Sequence, residues 1–317
     1  MTLAVVFPGQ GSQSVGMMAE LAAQHAVVRD TFSEASAALG YDLWERVAAG
    51  PAEVLNATAC TQPAMLAAGI ATWRLWREAG GPAPMMVSGH SLGEFTALVC
   101  AGVFGFSDAI RLVRKRGELM QAAVPAGTGA MAAVLGMDDA AIEAVCVESA
   151  QGEVVEPVNY NSPGQVVIAG HATAVARAMA MAKAHGARRA LMLPVSAPSH
   201  SSLMRGAAEQ LREELAGMPM QAPQVRYFSA VDAHSHSAVD DIRATLVRQL
   251  ASPVRWTQTV RALDIAGAHT LLECGPGRVL TGLNRRIEKR QHVNCLSVDD
   301  AATLEQSLNH CRGATHA

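Results

Sequence analysis

The sequence predicts an α/β protein: a large domain with a mainly parallel sheet, interrupted by a small ferredoxin-like subdomain. Three observations carry this. Short apolar strands alternate with helical patterns along most of the chain, which is the signature of a parallel sheet. One internal stretch reads β-α-β-β-α-β, the split-βαβ order. Half of the 317 residues are hydrophobic, against 17% charged and 4% aromatic. That balance suits helices rich in Ala, Leu and Met packed on a buried sheet.

The elements follow in order. "LAVVF" (Leu3–Phe7) reads as the first buried strand and breaks at Pro8-Gly9 into the polar loop "GQGSQSVG". With no basic flank and no small-residue cleavage site, it reads as core and not as a signal peptide. "MMAELAAQHAVVRDTFSEASAALG" predicts a helix closed by Gly40, and "TQPAMLAAGIATWRLWREAG" a second, with Pro63 near its first turn. A short strand "PMMVSGH" leads into an apolar helix starting near Leu92. "FSDAIRLVRKRGELMQAAV" predicts an amphipathic helix capped by Ser107, with Asp108 on its positive end.

The character changes near Pro125. A strand, a helix, two strands around Asn-Ser-Pro-Gly, another helix and "ARRALMLPV" complete the subdomain. The expected division is residues 127–195 for the subdomain, with 1–126 and 196–317 forming the large domain. After "SAPSHSSLM" the strand–helix alternation resumes, and the chain ends in a polar tail expected to fray.

Charge and cysteines narrow the partners. A net charge of −3 marks no general nucleic-acid or membrane surface, and no window approaches the ~20 apolar residues of a membrane span. The six cysteines are scattered, without metal-ligand spacing. Cys100 and Cys274 lie in apolar runs and read as reduced core thiols, which places the protein in the cytoplasm.

The stretch that carries chemistry is "GHSLG", Gly89–Gly93. A serine flanked two residues away by glycines, after a strand and before a helix, is a nucleophile elbow. The tight turn projects the Ser91 hydroxyl into a cleft. The Leu92 N–H sits at the helix start, where it can donate to an oxyanion. A serine needs a base. His90 is adjacent, but neighbours on an elbow diverge, so His90 is expected to support the site rather than act on Ser91. His25 and His185 lie in helices and His171 at a strand end. His234 and His236 sit in a polar loop with no further metal ligand in view, so no metal is expected. His200, in the punctuated segment "LPVSAPSHSS" where the chain returns from the subdomain, is the candidate base.

These residues sit in blocks that together resemble the malonyl-CoA:acyl-carrier-protein transacylases of fatty-acid synthesis. The blocks are "FPGQGSQ", "GHSLGE", "RGELMQAAVPAGTGAMAAVLG", "NYNSPGQVVIAG", "LPVSAPSH", "RQLASPVRW" and "GPGRVLTGL", in one order over nearly the whole chain. The resemblance implies a hydrolase-like large domain and a Ser91–His200 dyad, with the backbone carbonyl of Gln249 taking the place of a third member. It implies Gln10 and Leu92 as oxyanion donors and Arg116 as the partner of the substrate carboxylate. On the residues alone Arg116 has no advantage over Arg111, Arg114 and Lys115 in "RLVRKRGE". His90, Met120, Met131 and Asn161 are candidate pocket lining. The implied substrates are malonyl-CoA and the phosphopantetheine arm of an acidic acyl carrier protein, with no bound cofactor; a monomer is the default expectation. Arg188 and Arg189 fit either a docking site for that carrier or a solvated strand end. The resemblance departs at Ala197 and Ser201, where a branched residue and a cysteine are common, which bears on acyl specificity rather than on activity. Three rivals stand beside this reading: a malonyl acyltransferase of a polyketide synthase or malonate decarboxylase, a serine esterase or thioesterase, and a non-catalytic binding module with a relic elbow.

Overall fold

The computed structural model describes residues 2–195, 197–288 and 293–313. Its strands, in chain order, are β1 (Leu3–Phe7), β2 (Met86–Gly89), β3 (Gly129–Leu135), β4 (Val155–Ser162), β5 (Gln165–His171), β6 (Arg189–Met192), β7 (Arg226–Phe228), β8 (Ser235–His236), β9 (Thr270–Cys274) and β10 (Asn294–Val298). Six of them form one sheet in the order β10-β9-β1-β2-β7-β8, parallel except for the short edge pair β7–β8. Central β1 is buried at all five positions, because helices cover both faces of a parallel sheet. The strand order reverses between β1 and β9, and the loops that carry Gln10 and Ser91 follow the carboxyl ends of β1 and its other neighbour β2, the end at which α/β sheets place their ligands.

The second sheet, order β4-β5-β3-β6, is antiparallel and carries the helices Asp139–Ala150 and Ala172–Ala184 on one face. That is the strand order of a ferredoxin-like unit. Its edge strand β4 is stitched to the large domain: Tyr160 N–H donates to Val254 O at 2.9 Å and Val254 N–H to Val158 O at 2.8 Å. Ser196, the expected point of return to the large domain, lies outside the described residues, as do residues 314–317 of the expected frayed tail.

Several local expectations are corrected. The first long helix is two, Ala19–Gln24 and Ala26–Leu39, divided at His25, whose backbone is extended (φ −134°). Gly40 does close the second in the left-handed conformation. Pro63 lies beyond the first turn: its helix runs Thr58–Glu78, started by the extended backbone at Ala57. The helix Phe106–Ala122 is capped at Gly105, with Ser107 already inside it. The small helices Leu43–Ala48 and Ala52–Asn56 and the strands β8 and β10 were not expected. Cys274 is buried, whereas Cys100, at a helix end, is only partly so.

Candidate active site

The elbow is built by close approach. A Cβ on Gly89 would lie 2.0 Å from Gly93 C and O, and one on Gly93 2.0 Å from Phe7 O. No side chain fits either position. His90 N–H donates to Phe7 O at 3.0 Å, and a Cβ on Gly9 would meet His90 O at 2.5 Å. The loop carrying Gln10 is thereby packed directly onto the elbow. Ser91 itself adopts φ 52°, a left-handed conformation unusual for serine. Leu92 is the N-cap residue of the helix Gly93–Cys100. At such a position N–H groups have no intrahelical acceptor.

Ser91 Oγ lies 2.7 Å from His200 Nε2. His200 is also left-handed (φ 67°) and 4% exposed. Its Nδ1 lies 2.9 Å from Gln249 O. A carbonyl only accepts, so Nδ1 carries the proton and the Nε2 lone pair faces the serine hydroxyl. Burial and then the nearby Arg116 charge push the His200 pKa down to about 3. The imidazole is held neutral, the form that can take a proton from Ser91. His90 turns away: its Nε2 lies 2.8 Å from Asn161 Oδ1 and its ring packs near Trp256, tying the elbow to β4.

Arg116 is 1% exposed. Nη1 donates to Gln62 Oε1 at 2.8 Å, and Nη2 to Gln249 Oε1 at 2.9 Å and Ser91 Oγ at 3.3 Å. Nε has no partner, and among the described residues no carboxylate lies within 4.0 Å of the guanidinium. Burial lowers its pKa to about 10, which still leaves it charged at neutral pH. The Glu94 charge favours the ionised guanidinium and the Phe95 ring lies 5.3 Å below it, but its hydrogen-bond partners are two amides and a hydroxyl, so it can still pair directly with a carboxylate brought to Ser91.

The pattern around Arg116 held a signal that sequence reasoning missed. It lies three residues after Val113 and four before Met120, on the buried stripe of its helix. Arg111 and Arg114 face solvent. Met120 is buried, and its sulfur accepts from Gln62 Nε2 at 3.3 Å. Met131 is buried in a small cluster with Val158, Val167 and Ala169, on the face of the second sheet opposite its two helices. Three buried polar side chains around the site were also missed: Gln62, Glu94 and Tyr227. A lone Gln in an apolar helix and a charge opening the apolar run "EFTALVC" were the available signals.

His234 and His236 gather at Asp232, which Arg248 also pairs at 2.6 Å. Among the described residues no group of three or more His, Cys, Asp or Glu could hold a metal ion. None of the described helices is long and apolar enough to cross a membrane.

Comparison with known proteins identifies the family. The acyl transferase domain family matches residues 4–299. The chain is 58% identical to the malonyl CoA-acyl carrier protein transacylase of Escherichia coli, over 95% of this chain and 98% of that one. It is 43% identical to the transacylase of Bacillus subtilis, over 96% of each. Among solved structures, a malonyl-transacylase in complex with a type II PKS acyl-carrier protein superposes with a TM-score of 0.96 at 54% identity, covering 98% of this chain and 100% of that one. An acyl carrier protein S-malonyltransferase from Vibrio cholerae superposes with a TM-score of 0.93, also at 54% identity, over 96% and 99%. An elbow serine, a neutral histidine and an unpaired buried arginine thus stand in a chain that belongs to the malonyl-CoA:acyl-carrier-protein transacylases of the acyl transferase family.

Proposed function

We propose that the protein transfers the malonyl group from malonyl-CoA to the phosphopantetheine thiol of an acyl carrier protein, supplying fatty-acid elongation. The observation that carries this is Arg116: a buried guanidinium without a carboxylate partner, 3.3 Å from the hydroxyl that would carry the acyl group. A short acyl chain ending in a carboxylate, once attached to Ser91, brings its charge to that guanidinium. An acetyl group leaves it unpaired.

The mechanism is a ping-pong exchange. His200 Nε2 takes the Ser91 proton as Oγ attacks the malonyl thioester carbonyl. The N–H groups of Gln10 and Leu92 hold the oxyanion. The intermediate collapses, and His200 returns the proton to the departing CoA thiolate. The phosphopantetheine thiol then gives its proton to His200, attacks the malonyl-serine ester and restores the Ser91 hydroxyl. The Gln249 carbonyl keeps the imidazole in the required tautomer through both halves. No cofactor takes part. Incubation with malonyl-CoA, with acetyl-CoA in parallel, tests the proposal: one malonyl group should appear on Ser91, and preference for acetyl would overturn it.

The pH dependence follows from His200. Its neutral form is the base, and its pKa lies far below the ordinary 6.5. The acid limb of kcat/KM is therefore expected to stay level down to about pH 5 rather than fall near 6.5. Stability carries the same sign. Below pH 6.5 the unfolded chain takes up a proton that the native His200 refuses, so this contribution is complete above 6.5 and is lost as pH falls toward 3. A rate profile falling around pH 6.5 would contradict the assignment.

The carrier would dock at β6, an edge strand. Arg188 and Arg189 are exposed there beside the exposed side chains of Leu191 and Met192. Basic and apolar groups side by side suit an acidic helical partner. Replacing both arginines by glutamate is expected to raise KM for the carrier about tenfold at low salt, with little change for malonyl-CoA. Equal changes for both would remove β6 from the docking face. The enzyme is read as a monomer acting in the cytoplasm. A carrier from polyketide synthesis is the second reading, favoured by the complexed relative with its type II PKS carrier.

A further inference from the structure

We propose that Glu94 is a positioning residue that sets the direction of the Gln249 amide and, through it, aims Arg116 at the acyl carboxylate. This rests on the malonyl-transfer reading above and deepens it.

Glu94 is fully buried in the first turn of the helix that follows Ser91. One carboxylate oxygen, Oε2, accepts from Gln249 Nε2 at 2.5 Å. The other, Oε1, accepts from the hydroxyl of Tyr227 on β7. Burial raises the Tyr227 pKa well above its usual value, with the Glu94 charge adding to the effect, so the phenol remains a donor; burial also raises the Glu94 pKa, and the hydrogen bonds from Ser229, Tyr227 and Gln249 oppose that shift by favouring the carboxylate. Gln249 Nε2 also donates to Ser91 O at 3.1 Å, while Gln249 Oε1 accepts from Arg116 Nη2 at 2.9 Å.

The two ends of the amide are therefore told apart by their partners. Two acceptors hold the nitrogen end, and a guanidinium that only donates holds the oxygen end. Reversing the amide would turn its N–H groups toward Arg116. Glu94 makes no contact with the serine hydroxyl or with His200 in this arrangement, so its effect on the reaction passes through Gln249 and Arg116. The Gln249 backbone carbonyl, which holds His200, is fixed by its helix whichever way the side-chain amide points.

Glu94→Gln keeps the shape of the side chain but supplies one acceptor oxygen in place of two. Either Tyr227 or Gln249 then loses its acceptor, and the Gln249 amide is no longer held in one direction.

The experiment compares two reactions of Ser91. Malonylation by malonyl-CoA needs Arg116, whereas labelling by a neutral fluorophosphonate uses the Ser91–His200 pair and the oxyanion donors but brings no carboxylate for Arg116 to hold. In Glu94→Gln, malonylation is expected to slow about tenfold while fluorophosphonate labelling stays within about twofold of the parent. Tyr227→Phe, which loosens Glu94 without removing its charge, should give the same split at about threefold and serves if the first variant does not fold. Equal loss of both reactions would assign Glu94 to the Ser91–His200 pair or to the fold, and would overturn the proposal. Faster malonylation would mark Glu94 as an opposing charge and would overturn it too, as would no change in either reaction. If the parent enzyme itself fails to take malonyl on Ser91, the function is wrong; if it succeeds and the split is missing, only the role of Glu94 falls.

Discussion

Replacing Ser91 by alanine is expected to abolish covalent malonylation and to reduce transfer by about 10⁴–10⁶-fold. The size follows from what the hydroxyl does. Every malonyl group crosses the enzyme as a Ser91 ester, and no neighbouring group can stand in. His90, the nearest alternative in sequence, is committed to Asn161. His200→Ala is expected to cost a similar amount, because an unassisted hydroxyl is a poor nucleophile near neutral pH. The double variant should be little worse than either single one, since the two side chains act as a unit at 2.7 Å. Intact-protein mass after mixing with malonyl-CoA reads the first claim, and initial rates read the second. A malonyl adduct on another residue of Ser91→Ala would remove the elbow from the mechanism.

Arg116→Ala is expected to lower kcat/KM for malonyl-CoA by about 10²–10³-fold and to raise the relative rate with acetyl-CoA. Leaving a carboxylate buried without its guanidinium costs about 3–5 kcal/mol, and the lower part of that range corresponds to that loss. Acetyl incurs no such penalty and gains by removal of an unpaired cation from its pocket. Arg116→Lys should recover only part of the loss, because an ammonium cannot make the planar, two-pronged contact. Removing Arg116 also removes the second cause holding His200 low, so the acid limb of the rate profile should move upward. If malonyl and acetyl rates fell together, the arginine would be supporting the fold and not reading the carboxylate.

How far these conclusions could be read from the chain depended on where each residue's partners lie. β1 and β2 were legible because they are apolar runs broken by glycine. The subdomain was legible because its helices and strands alternate at regular spacing. The strand β10, "NCLSV", was not: Asn294 and Ser297 interrupt its apolar pattern, and its place is set by pairing with β9. Pro63 misled because the helix around it begins at Thr58, ahead of the proline. At the site, Ser91 announced itself through glycines whose necessity the packing explains. Arg116 did not, since three basic neighbours share its stretch and only its spacing from Val113 and Met120 on the apolar stripe sets it apart. Glu94, Tyr227 and Gln249 come from distant parts of the chain, with Tyr227 133 residues and Gln249 155 residues from Glu94. Only the folded arrangement shows that they form one network.

The unpartnered Nε of Arg116 has a practical side. A buried guanidinium pairs with a carboxylate by charge and planar shape, features that other small carboxylates share with the malonyl group. Acetate, formate or citrate in a purification or assay buffer would occupy it and would look like competitive inhibition by malonyl-CoA's own solvent. Zwitterionic buffers free of added carboxylate are the fair background for comparing acyl donors, and a crystal grown from carboxylate salts is expected to show that anion beside Ser91.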